Sequence, residues 1–116
     1  LSFLGILLSA SLIMAQTPVP VPVSYEKLTF DNTTAGIGFA ANTLTVTGQQ
    51  VRVCYGTLET AEIRYQLTGL TAPTTTAGML LSVGQVIEIT GYTTLTRFRG
   101  IRTGGVSGVI NFTCSR

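Results

Sequence analysis

Residues 61–67, Ala61-Glu62-Ile63-Arg64-Tyr65-Gln66-Leu67, set Ala61, Ile63, Tyr65 and Leu67 against Glu62, Arg64 and Gln66. Successive side chains of a strand point to opposite faces, so this alternation predicts a strand with one buried and one solvated face. The pattern recurs on both sides. Upstream, Tyr25 to Phe30 reads as a first strand closed by the turn-forming run Asp31-Asn32-Thr33-Thr34. Thr43 to Thr47 alternates next. Gly48-Gln49-Gln50 then turns the chain into Val51 to Tyr55, which places Val51, Val53 and Tyr55 on one face before Gly56 and Thr57 break the strand. Downstream, Thr68 to Gly78 is a loop by composition. Val86 to Thr90, Tyr92 to Ile101 and Val106 to Cys114 supply three more strands, separated by Gly91 and by Thr103-Gly104-Gly105.

Short strands at turn-punctuated intervals, with no helical period after residue 15, predict an all-β domain. Its form is an antiparallel β-sandwich or a jelly-roll-like small barrel. The alternation nominates Val51, Val53, Ile63, Tyr65, Val86 or Ile87, Phe98, Ile101 and Ile110 for the core. A chain of 116 residues suffices for one such core and not for two. Only 10% of residues are charged, while threonine occurs twenty times and glycine thirteen, so polarity comes from hydroxyls.

The same inventory restricts chemistry. The chain has no histidine, which removes the commonest general base and metal ligand and with them Ser-His-Asp and Cys-His catalysis. Cys54 and Cys114 lack the close pairing of a zinc site, and the five carboxylates (Glu26, Asp31, Glu59, Glu62, Glu88) show no calcium-loop spacing. Glu59 and Glu62, three apart, would face opposite sides of a strand rather than converge on a glycosidic bond. The expectation is a non-enzymatic protein without cofactor or metal. A net charge of +2 is too mild for a nucleic-acid binder.

Residues 1–15, LSFLGILLSASLIMA, form the one long apolar run. They read as a signal peptide lacking a basic start, as a membrane anchor shorter than a spanning helix, or as an upstream extension or misassigned frame ahead of a start at Met14. A membrane role is not favoured. Residues 16–23 follow as an extended arm in which Pro18, Pro20 and Pro22 alternate with valines; proline cannot donate to a ladder, so a central strand is excluded. Val19, Val21 and Val23 share one face, which suits contact with a neighbouring subunit, although a plain linker has the same composition. The sandwich domain then occupies residues 24–116.

On the predicted phase Cys54 lies opposite Val53 and Tyr55, whereas Cys114 shares a face with Ile110 and Phe112. The reading therefore leans to two free thiols, with a disulfide as the alternative. Arg97-Phe98-Arg99-Gly100-Ile101-Arg102 holds half of the six arginines. Arg97 and Arg99 read as guards of a solvated strand edge that are also able to meet acidic groups of a neighbouring subunit.

The order of Glu62-Ile63-Arg64-Tyr65-Gln66-Leu67-Thr68-Gly69, Ala72-Pro73-Thr74, Ala77-Gly78-Met79-Leu80-Leu81, Gly84-Gln85-Val86-Ile87-Glu88-Ile89 and Phe98-Arg99-Gly100-Ile101-Arg102, closed by Gly104 to Thr113, resembles small structural proteins of tailed bacteriophages. The likeness covers about residues 50–116. It implies a virion structural protein, foremost a capsid decoration or cement protein, with a tail or fibre-base component as the alternative. The implied partners are further copies of the chain, a trimer being favoured, and a major capsid or other virion protein. From a different class, a secreted β-sandwich adhesin or extracellular filament subunit has the same residue pattern.

Overall fold

The computed structural model describes residues 19–116. The apolar run 1–15 and arm residues 16–18 lie outside the described residues. Nine strands and two short helices follow in order: β1 (Pro22–Phe30), α1 (Ala41–Leu44), β2 (Thr45–Val46), β3 (Gln49–Gln50), β4 (Val53–Glu59), β5 (Ile63–Gln66), β6 (Met79–Leu81), β7 (Val86–Thr90), α2 (Tyr92–Arg97), β8 (Arg99–Arg102) and β9 (Gly108–Ser115). The protein is mostly β, as the alternation predicts. Its main sheet has the order β1-β9-β4-β7, a second sheet the order β6-β5-β8, and β2 and β3 form a hairpin of their own. Every pairing is antiparallel.

The two larger sheets enclose one core. The main sheet contributes Leu28, Phe30, Cys54, Leu58, Ile87, Ile89, Ile110, Phe112 and Cys114, and the second contributes Ile63 and Leu81. Four further rings surround Phe98, which lies 6.0 Å from Phe30, 5.5 Å from Phe39, 6.0 Å from Tyr65 and 5.9 Å from Phe112 between centroids. These separations fall in the range where edge-to-face and tilted aromatic pairs attract.

Two predicted strands prove partly helical. Tyr92 to Ile101 divides into α2 and β8. The chain leaves β7 at the edge of the main sheet and must reach β8, an edge of the other sheet, so a short helix spans that distance. Within it Leu95 N donates to Gly91 O at 2.9 Å and Phe98 N to Thr94 O at 3.0 Å, and Leu95 and Phe98, three apart, are both fully buried. The β-branched threonines of this segment favour a strand, and burial of these two side chains overrides that preference. Thr43 to Thr47 likewise begins as the single turn α1, which buries Leu44, before continuing as β2. The β2–β3 connection is a two-residue turn with Thr47 at φ 50° and Gly48 at φ 77°, the backbone of a type I′ hairpin.

The phase of β4 is the reverse of the predicted one. Cys54 and Leu58 are fully buried, Val53 is half-buried and Tyr55 is exposed. Val51 is buried as predicted, but it precedes the strand and its amide bonds to Leu44 O, so it belongs to the end of the sandwich rather than to the alternation of β4. Nor does Gly56 break the strand. A Cβ there would lie 2.6 Å from Asn111 O and from Ile110 Cγ2, so glycine permits the close approach of β9. Among the other core candidates Ile63, Phe98 and Ile110 are fully buried, and Tyr65 packs half-buried against the cluster. Ile87 rather than Val86 faces inward. Ile101 is buried outside the inter-sheet cluster, on the face of β8 that it shares with its partner Arg64 of β5.

With β4 so phased, Cys54 and Cys114 are direct cross-strand partners with Cα atoms 4.1 Å apart, and they form a disulfide, which corrects the expectation of free thiols. The turn after β1 is closed by Asp31, whose Oδ1 accepts from Thr33 N at 2.9 Å. Hydrogen bonds from the Thr33 side chain and backbone hold the Asp31 carboxyl below its ordinary range, so the contribution of this turn is present above the unfolded pKa and is lost as pH falls.

Ile63→Ala should cost about 2–5 kcal/mol, and Phe98→Ala about 3–5 kcal/mol, in urea denaturation followed by circular dichroism. Reducing the disulfide, whose cysteines are 60 residues apart, should lower stability by about 4 kcal/mol on the chain-entropy account. The unreduced chain, denatured and treated with a thiol reagent, should show no free cysteine; two labelled thiols would contradict the pairing.

Candidate assembly surfaces

Of the three valines expected to meet a neighbour, two are engaged in the chain's own sheet. Strand β1 begins at Pro22, inside the predicted arm, and pairs with β9. Val21 continues that pairing: its amide donates to Arg116 O at 3.1 Å and Arg116 N donates to Val21 O at 3.0 Å. Val23 packs against the core. Pro22 is tolerated because it is the first residue of an edge strand, where a missing donor breaks no interior ladder. Val19 is exposed and, with Pro20, lines a small cavity beside Arg52, Val53 and Arg116.

Arg97 and Arg99 lie where α2 gives way to β8. Arg97 is exposed in the last turn of α2, and Arg99 is half-buried opposite Gln66 of β5. The Arg99 Nη1 donates to Phe98 O at 2.6 Å and to Thr96 O at 3.2 Å, satisfying carbonyls at the helix end. Both arginines line a cleft of about 280 Å³ with Ala35, Gly69, Thr71, Ala72 and Thr96, and no carboxylate lines it.

A further surface escaped the sequence reading. β6 is one edge of the second sheet and β7 one edge of the main sheet, and the turn at 82–85 carries the chain from one to the other. In that turn Gln85 N donates to Ser82 O at 3.1 Å, and the Gln85 side-chain oxygen accepts from Ser82 N at 2.8 Å. Within eight residues Met79, Leu80, Val83 and Val86 are 52%, 48%, 55% and 69% exposed. Among the described residues, two sheet edges without a further strand partner thus meet at this turn, with Leu80 on the outer face of the second sheet beside Arg64 and Val86 on the outer face of the main sheet beside Thr57. Sheet edges without a partner are templates for further strand pairing. In the sequence Met79-Leu80-Leu81 stands only as part of the resemblance across residues 50–116. Only the placement of β6 and β7 at two sheet edges makes it a surface.

Replacing Leu80 and Val86 together by Gln and Thr should leave monomer stability within about 0.5 kcal/mol, since both are exposed, while shifting any concentration-dependent association toward monomer in sedimentation velocity. Unchanged association would remove these edges as an interface. Comparison with protein-family models, curated proteins and solved structures gave no match for this chain.

Proposed function

We propose that the chain is a non-catalytic structural module of a virion, foremost one that decorates or cements the head lattice of a tailed bacteriophage, with a tail or fibre-base position next. The observation that carries an assembly role is the pair of sheet edges, β6 and β7, that meet at the 82–85 turn with Met79, Leu80, Val83 and Val86 exposed. The resemblance across residues 50–116 names the kind of assembly. Weak contacts made by one small module multiply when several copies engage a repeating lattice, so a homo-oligomer, with a trimer or ring favoured over a dimer, suits this role. Its partners would be its own copies and a major capsid or other virion protein. No step of chemistry is required of it.

A second reading rests on a different observation. The buried Cys54–Cys114 disulfide fits a protein that matures in an oxidising compartment, which favours a secreted β-sandwich adhesin or filament subunit. Recovery from the native producer separates the two. A chain that co-purifies with particles containing a major capsid protein supports the first; a chain found in the medium or on the cell surface without particles supports the second. For the first reading, purified chain at micromolar concentration should sediment as an oligomer or co-sediment with capsids. A strict monomer that also fails to bind capsids would overturn it.

A further inference from the structure

Two loops distant in sequence converge on the end of α2. Residues 31–38 run beside β8, where Ile37 N donates to Gly100 O at 2.8 Å and Gly100 N to Ile37 O at 2.9 Å. Residues 68–78 fold back over β5, held by the Arg64 guanidinium, whose Nη1 donates to Gly78 O at 2.9 Å, and by Pro73, which is fully buried. Each loop brings a glycine against one arginine stem. A Cβ on Gly69 would lie 2.9 Å from Arg97 Cγ, and a Cβ on Gly36 would lie 2.9 Å from Arg99 Cβ, so both loops fit closely around the two side chains.

The result is the 280 Å³ cleft walled by Ala35 and Ala72, with the Thr71 and Thr96 side chains and the two arginines at its lining. The guanidinium of Arg99 is positioned by Thr96 O and Phe98 O before any ligand arrives. A planar guanidinium matches a carboxylate with two parallel hydrogen bonds, and a preset fork loses less freedom on binding.

The geometry points to this cleft as a receptor for a carboxylate, namely an acidic side chain of an adjoining protein subunit. The alanine walls suit the methylene stem of aspartate or glutamate. A phosphodiester backbone, by contrast, is met by extended rows of basic residues, and the lining holds a single pair. The identity of the donor as an adjoining subunit rests on the assembly role proposed above; the preference for a carboxylate rests on the cleft alone.

The test is a titration of the full chain, isotopically labelled, with glutarate as a side-chain mimic and with inorganic phosphate. The Nε–Hε resonances of all arginines are followed. Glutarate should shift Arg97 and Arg99 saturably, and phosphate should bind more weakly. Arg97→Gln, at an exposed position, should weaken glutarate at least tenfold with an unchanged Tm. Ala35→Asp, also exposed, should block the cleft from within and abolish the response. Absence of saturable shifts, tighter binding of phosphate, or a response unaltered by both variants would overturn the assignment. If Arg99 only caps the carbonyls of α2, glutarate moves neither arginine resonance, which also overturns it. The isolated chain is used throughout, so this result is independent of whether the chain oligomerises or binds capsids.

Discussion

Everything in the main sheet depends on the insertion of β9 between β1 and β4. Among the described residues, β9 is the only bridge between β1 and the rest of the sheet. Its inward residues Ile110, Phe112 and Cys114 are all fully buried, and Gly56 on β4 lets its backbone approach closely. The disulfide joins β4 to β9 at a directly opposed pair, so a register slip of one residue, which would turn every buried side chain of β9 outward, is covalently blocked. These contacts join sequence positions as far apart as Pro22 and Ser115. A topology dominated by such pairings folds slowly, because loop closure is unfavourable until the distant strands meet.

The aromatic cluster is the second consequence of that arrangement. Phe112 of β9 and Phe30 of β1 meet Phe98 from the main-sheet side, while Tyr65 approaches from β5. Phe98 reaches the cluster because α2 carries the chain across the end of the sandwich. The same crossing leaves Arg97 and Arg99 at the surface on either side of it. One short helix therefore positions both a central ring of the core and the only two charged side chains lining the cleft.

Period-two alternation made β7 and β9 legible, because burial alternates along each; β5 was legible as a strand, but its expected solvated face is half-buried, since the 68–78 loop folds over Arg64. It misled where tertiary demands interrupt the period. Val51 is buried at the end of the sandwich and Cys54 within β4, three positions apart, so a phase carried forward from Val51 places Tyr55 inside and Cys54 outside, the reverse of what is found. That single error also hid the disulfide. The threonine-rich α2 looks like a strand because its helicity comes from burying Leu95 and Phe98 and not from local preference. Of the surfaces, the arginines were visible as a cluster but their cleft was not, since its walls come from residues 35 and 69–72. The exposed edges at β6 and β7 depend on which strands lie at sheet borders, a property of topology that no local pattern records.

Native-state hydrogen exchange tests the central place of β9 most directly. Amides of β9 and of its neighbour β4 should exchange only through global unfolding, with protection matching the total stability, while β6 and β7, each bonded on one side, should exchange through smaller openings. If β9 amides exchange as fast as those of β6, with the disulfide intact, the strand is not what holds the sheet together and this account of the fold is wrong.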